Sequence, residues 1–250
     1  MKLSVLGAQG TWPGPGGECC GYLVSHDGFQ LWLDAGTGTF ARLQEQIAIG
    51  DVGAIAISHG HADHFIDIIP AFYARHYGGL GEPGLPFFSP EGFTDLASLL
   101  VSENGRNVMA EAFAFTEAHA GEPFEVGPFR VAPFEMTHIG VRSLGYRIEA
   151  GGVVLAYTGD TGPCQEAVDL AQGADLFLCE ASYQNGQDLT FFHLSAAQAA
   201  EHAVKADVGT LVLTHVMPAL DDERSRDEAA AVYRGRVEVA RPDRAWEVGG

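Results

Sequence analysis

Apolar residues recur along the chain in short runs separated by stretches of helical periodicity. Residues 2–6, 21–25 and 30–33 read as strands, the last two joined by the turn His26-Asp27-Gly28. Residues 54–58 form a short apolar run, the signature of a strand buried on both faces. Residues 129–136, 144–148 and 153–157 make a strand-rich middle, and 176–179 and 211–214 are again short buried strands. Helices are predicted over 40–47, 65–75, 91–102, 165–171, 196–206 and 222–234. Ser195-Ala196-Ala197-Gln198 has the spacing of a capping box, and Ser89-Pro90-Glu91 reads as an N-cap followed by proline in the first turn. Strands then helices occur twice, over about 1–125 and 126–250. This order predicts layered α/β architecture in a single domain spanning 1–250.

Composition narrows the class. Apolar residues make up 46 % of the 250, which excludes wholesale disorder. No run approaches the ~18–20 apolar residues of a membrane span. The chain starts directly on a strand with no secretory leader, so a cytoplasmic protein is expected. Lys and Arg number 14 against 33 Asp and Glu, a net charge of −19. Such a surface repels polyanions, and no basic cluster tracks a phosphate backbone, so extended nucleic-acid binding is not expected. Cys19, Cys20, Cys164 and Cys179 lack C-x-x-C spacing and read as idle thiols.

The chemistry concentrates in Ser58-His59-Gly60-His61-Ala62-Asp63-His64, directly after a buried strand. In extended chain His59 and His61 point to one side. Three imidazoles and a carboxylate within six residues are costly to bury without a shared partner, and a divalent cation prefers those donors. Three more candidates each end an apolar strand: His138, Asp160 in Tyr157-Thr158-Gly159-Asp160, and His215 after Leu211-Val212-Leu213-Thr214. Strand ends in layered α/β folds meet at one edge, where sites form.

Together, His59-x-His61-x-Asp63-His64, His138, Asp160 and His215 resemble the full ligand set of the metallo-β-lactamase superfamily. The resemblance implies a four-layered αββα sandwich, two mixed sheets flanked by helices, with two divalent metal ions at one edge. It assigns His59, His61 and His138 to one ion, Asp63, His64 and His215 to the other, and Asp160 to both. Asp34, closing Leu31-Trp32-Leu33-Asp34, matches the superfamily's first motif, an aspartate that supports the ligands from behind. Two cations about 4 Å apart can share a hydroxide as nucleophile and stabilise charge on the attacked and leaving oxygens. With N and O donors alone, zinc is the default, and manganese or iron would fit.

Leu178-Cys179-Glu180-Ala181-Ser182 and Phe192-His193-Leu194-Ser195 are similar to the His-Glu-Ala-Thr and His-Ser-Thr motifs of the ribonuclease Z-like branch, which cleaves phosphodiesters. Cys179 stands where that branch has histidine. The likeness implies that Glu180 orients and charges His193, which contacts a phosphate oxygen or protonates the leaving oxygen. Asp63, Glu180 and His193 are thus the expected catalytic residues; a purely structural Glu180–His193 pair is the alternative. Only 21 residues separate His138 from Asp160, too few for the tRNA-binding arm of ribonuclease Z, so a small phosphodiester such as a cyclic nucleotide is the expected substrate. The opening through Gly10-Thr11-Trp12-Pro13 is also similar to small bacterial cyclic-nucleotide phosphodiesterases. Cleavage of thioesters or lactones, tRNA processing, and metal-dependent binding without catalysis are the competing readings. A homodimer stays open, since members of this branch often pair. Residues 75–88 and 104–115 are expected to wall the substrate.

Overall fold

The computed structural model describes residues 1–187 and 190–250. In chain order its strands are β1 (Lys2–Gly7), β2 (Gly21–His26), β3 (Phe29–Ala35), β4 (Ala54–Ala56), β5 (Leu85–Pro90), β6 (Phe113–Ala118), β7 (Phe124–Val126), β8 (Phe129–Met136), β9 (Ser143–Ala150), β10 (Val153–Tyr157), β11 (Leu176–Glu180), β12 (Thr210–Thr214), β13 (Arg236–Val239) and β14 (Ala245–Glu247). The helices are α1 (Thr39–Gln46), α2 (Ala62–Phe65), α3 (Ile68–His76), α4 (Phe93–Ser98), α5 (Gly105–Met109), α6 (Gln165–Ala171), α7 (Ala196–Ala206) and α8 (Asp222–Val232).

The strands form two seven-stranded mixed sheets, ordered β14-β1-β2-β3-β4-β5-β6 and β13-β12-β11-β10-β9-β8-β7. In the first, pairing is antiparallel from β14 to β3 and parallel from β3 to β6. In the second it is antiparallel from β7 to β10 and parallel from β10 to β13. The two sheets therefore share one pairing pattern, although no sequence repeat announces it.

Alternation along the strands produces the layers. In β3, Leu31 and Leu33 face the second sheet, where Ile148, Leu155 and Leu178 meet them, while Trp32 faces outward with Ile55, Phe72 and Phe87 under α1, α3 and α4. In β12, Val212 faces inward and Leu211 and Leu213 face α7. Full burial of each such side chain contributes about 1.5–3 kcal/mol. Alanines 196, 199, 200, 203 and 206 are fully buried on α7 and let the helix lie close to its sheet. Its capping box forms: Ser195 Oγ accepts from the Gln198 N–H at 3.2 Å and Gln198 Oε1 from the Ser195 N–H at 2.9 Å. The fold is the expected αββα sandwich, and among the described residues no helix is long and apolar enough to cross a membrane.

Several expectations need correction. The helix expected over 65–75 is α3, preceded by the short α2 that ends at Phe65; between them the Asp67 N–H donates to Ala35 O at 2.9 Å instead of to the preceding turn. The helix read over 91–102 is the shorter α4. Ser89 lies in β5, and the capping position is Gly92 in a left-handed conformation, φ 80°. Five strands, β5, β6, β7, β13 and β14, were not expected, and β14 carries the C-terminal segment back to the first sheet. Within the expected substrate walls, Phe87 and Phe88 belong to the core: Phe87 is buried under α4, and Phe88 stacks on Phe124 between the sheets at 4.1 Å.

Candidate metal centre

The sheets meet at the edge where the parallel strands end. Leu144 N–H donates to Ser58 O at 2.9 Å, and Gly10 N–H to Val216 O at 3.1 Å, so the loops after β4 and β12 are tied to the opposite sheet. His59 and His61 lie in the loop after β4, Asp63 and His64 on α2, His138 after β8, Asp160 after β10 and His215 after β12. All seven donors come together, as the strand-end argument required. Gly36 makes this possible, since a Cβ there would stand 1.9 Å from the Asp63 carbonyl oxygen.

Two groups of donors result. His61 Nδ1 is 3.2 Å from His59 Nε2 and 3.0 Å from His138 Nε2, while Asp160 Oδ2 is 3.7 Å and 3.8 Å from the latter two. On the other side His215 Nε2 is 3.2 Å from Asp63 Oδ2 and 3.3 Å from Asp160 Oδ2. His64 Nε2 is 3.6 Å from Asp63 Oδ2 and 3.1 Å from Asp160 Oδ1. Donors bound at 2.0–2.1 Å in a tetrahedron stand about 3.3–3.4 Å apart, so both groups are near coordination spacing.

The partners behind the ligands fix which nitrogen faces inward. His138 Nδ1–H donates to Phe192 O at 3.0 Å, and His64 Nδ1–H to Asp34 Oδ2 at 2.8 Å. His59 Nδ1 lies 3.0 Å from Ser58 Oγ, whose own hydroxyl donates to Asp34 Oδ2 at 2.7 Å. His215 Nδ1 lies 2.8 Å from Ser182 Oγ, which donates to Glu180 Oε2 at 3.0 Å. In each case the Nε2 lone pair is left for the centre. Asp34 also accepts from Ser58 N–H at 2.6 Å and Tyr157 O–H at 2.6 Å. Asp34 and His215 both have positive φ, 55°, a strained backbone of the kind found at functional sites.

The donor set fits a cation. His64 Nε2 and Asp160 Oδ1 are buried and close, yet neither has a hydrogen-bond partner among the described residues. Burial lowers the pKa of His59, His61 and His138, keeping them neutral and able to ligate. For Asp160 burial works upward, but the charges of His215 and His64 outweigh it and hold the carboxyl well below its ordinary value; His64 and His215 do the same for Asp63. Burial would lower His64, yet facing Asp160 and Asp63 raises it, so a proton and a cation compete for its Nε2.

Beside the cage, Glu180 is fully buried and accepts from His193 Nδ1–H at 2.8 Å, Thr161 N–H at 2.9 Å and Leu194 N–H at 3.1 Å. The His193 ring stacks at 5.4 Å on His215 and lies 5.2 Å from His138. Burial pulls the His193 pKa down, but the hydrogen bond and charge of Glu180 raise it overall. The sequence reading gave no role to Ser182, whose hydroxyl joins Glu180 to His215. Its signal was position: two residues beyond Glu180, the same side of an extended chain. Nor did it foresee Thr11, whose backbone N–H donates to Asp63 Oδ2 at 2.8 Å.

Known proteins resemble this chain in sequence and fold. A family model described as beta-lactamase superfamily domain matches residues 17–216. A Mycobacterium leprae protein, ML1173, is 34 % identical over 243 residues, covering 95 % of this chain and 85 % of that one. A Mycobacterium bovis protein named ribonuclease Z is 27 % identical over 268 residues, covering 96 % of this chain and 95 % of that one. The crystal structure of the metallo-beta-lactamase fold protein YhfI from Bacillus subtilis superposes with a TM-score of 0.89 at 25 % identity, covering 98 % of each chain. Fold, family match and the converging His and Asp donors agree, and the chain belongs to the metallo-β-lactamase superfamily, among its metallo-hydrolases.

Proposed function

We propose that the protein is a dinuclear metal-dependent phosphodiesterase acting on a small substrate such as a cyclic nucleotide. The observation that carries this reading is the Glu180–His193 pair set against the rings of His138 and His215. A hydrolase of carboxylic esters or thioesters needs stabilisation of one oxyanion. A phosphodiester carries two non-bridging oxygens, so a second donor beside the ions suits it. His193, held by Glu180 at Nδ1, keeps Nε2 for that contact. A relative named as a ribonuclease is consistent with the same bond class.

His59, His61 and His138 would hold one ion, Asp63, His64 and His215 the other, and Asp160 both. The ions, with zinc the default, supply Lewis acidity for water activation and charge stabilisation on phosphate. Asp63, itself positioned by the Thr11 N–H, accepts the proton of the attacking water. The His193 imidazolium, its charge balanced by Glu180, delivers its proton to the leaving oxygen, and the neutral ring regains a proton as the one taken up by Asp63 is released. Ser182 keeps His215 and Glu180 in register.

A small substrate is favoured over tRNA because β9 and β10 take up most of the interval between His138 and Asp160. The net charge of −19 also opposes a polyanion. The metal-loaded protein is expected to hydrolyse bis-p-nitrophenyl phosphate or a cyclic nucleotide and to lose that activity on chelation. Turnover of thioesters far above both would overturn the substrate class. His193→Ala is expected to lower kcat by about 10²–10⁴-fold while metal content, measured by elemental analysis, stays at the wild-type level. A parallel loss of metal would make His193 a structural residue instead.

A further inference from the structure

Three exposed apolar side chains stand on the loops that build the metal centre: Trp12 is 47 % exposed, Ile139 44 % and Phe191 67 %. Single exposed apolar residues are ordinary on a protein surface, but apolar surface gathered at the rim of a polar site marks a ligand contact. Each of the three is tied to the centre. Trp12 follows Thr11, whose N–H donates to Asp63 Oδ2 at 2.8 Å. The same turn lies on His215: a Cβ on Gly10 would stand 2.6 Å from His215 Nδ1, and Gly10 N–H donates to Val216 O at 3.1 Å. Thr11 has φ 68°, a left-handed conformation that a β-branched residue adopts at a cost, and Trp12 N–H closes the turn on Gly10 O at 2.9 Å. The chain therefore accepts strain to carry Trp12 past the ligand Asp63. Beside the other group of donors, Ile139 directly follows the ligand His138. The Phe191 ring packs edge-on against Phe192 at 5.1 Å, and Phe192 lies 5.2 Å from the His193 ring and 6.1 Å from that of His138. A Cβ on Gly162, two residues beyond Asp160, would stand 1.7 Å from Phe191 O, so Phe191 lies directly on the loop that carries Asp160.

We infer that Trp12, Ile139 and Phe191 form an apolar collar around the cage, which contacts the ester groups of the substrate and favours diesters with an aromatic or other apolar ester group. The inference rests on the phosphodiesterase reading and adds the class of ester group that it selects. The two ester groups of a phosphodiester leave phosphorus in different directions, and apolar residues border the cage beside each group of donors. A chain of net charge −19 gives an anionic substrate no long-range attraction, so affinity beyond the ions comes from short-range apolar contact. Trp and Phe supply it by taking the faces of an aromatic ester group out of water. Such a contact reads apolar area and not a hydrogen-bonding edge, so it selects a class of ester and no particular base.

Two substrates that share the p-nitrophenolate leaving group and differ in the other arm test the collar, bis-p-nitrophenyl phosphate and methyl p-nitrophenyl phosphate. Trp12→Ala and Phe191→Ala, both at exposed positions, are each expected to lower the ratio of kcat/KM for the first to that for the second about tenfold. A second readout needs no turnover. Of the three tryptophans, Trp32 and Trp246 are buried, so acrylamide quenching of the metal-loaded protein's fluorescence reports chiefly on Trp12. Diphenyl phosphate is expected to protect Trp12 from the quencher, and dimethyl phosphate at the same concentration is not. With both diesters hydrolysed by the wild type, a ratio unchanged in either variant, or equal quenching with the two phosphates, overturns the collar and leaves the phosphodiesterase reading standing. If the wild type hydrolyses neither diester, the phosphodiesterase reading falls, and the quenching alone decides the collar.

Discussion

Replacing Asp160 by asparagine is expected to lower kcat/KM by on the order of 10³-fold or more while leaving the protein folded. Asparagine keeps the shape and one acceptor oxygen but loses the charge. Five of the seven donors in the cage are imidazoles, which bring no negative charge to a cation, so two dications would be balanced by Asp63 and Asp160 alone. Asp160 also lies near both groups, with Oδ1 at 3.1 Å from His64 Nε2 and Oδ2 at 3.3–3.8 Å from His215, His59 and His138. The amide would halve the negative charge and leave the two ions facing one another. Elemental analysis should find fewer metals per chain than in the wild type, and steady-state kinetics should show the loss chiefly in kcat. A variant of near wild-type activity and full metal content would remove Asp160 from its bridging role.

Asp34→Ala is expected to lower the melting temperature by about 10 °C, a cost of roughly 3–5 kcal/mol. Asp34 is fully buried and accepts four hydrogen bonds, from Ser58 N–H, Ser58 O–H, Tyr157 O–H and His64 Nδ1–H. Alanine leaves those donors unpaired, at about 1–3 kcal/mol for each that cannot find water. It also puts an alanine at φ 55°, a left-handed conformation that aspartate and asparagine tolerate better. Metal affinity should fall about 10–100-fold, because nothing then holds His64 with Nε2 inward. Asp34→Asn separates the effects, since it keeps the backbone preference. Its melting temperature should lie between alanine and wild type. Thermal scans with and without chelator check both; an alanine variant melting within 2 °C of wild type would contradict the network.

The site was far more legible in the sequence than the fold's periphery, for a physical reason. Ligands cluster in short spacings because a strand end gives few positions from which side chains converge, and His59, His61, Asp63 and His64 occupy them in six residues. His138, Asp160 and His215 became readable because each follows an apolar run that must be a buried strand. Core strands such as β3 and β12 announced themselves the same way. Strand β5 did not: Pro86 and Pro90 lie within it, and proline argues against a strand except where its missing donor does no harm. Strands β7, β13 and β14, of three or four residues, are too short for periodicity to register. Phe87 and Phe88 fall in a segment expected to wall the substrate, and an aromatic run looks alike whether it lines a pocket or fills a core. Only the register of β5 settles it, one ring turning under α4 and the next between the sheets. Ser182 was invisible for the opposite reason: a serine becomes informative only when Glu180 and His215 are found on either side of its hydroxyl.

The central claim is that seven side chains from four separate segments form one cage for a pair of cations. Anomalous diffraction from crystals of the protein loaded with zinc tests it most directly. Two peaks about 4 Å apart are expected, one bounded by His59, His61 and His138, the other by Asp63, His64 and His215, with the Asp160 carboxylate between them. A single peak, peaks away from these residues, or none at saturating metal would contradict the account.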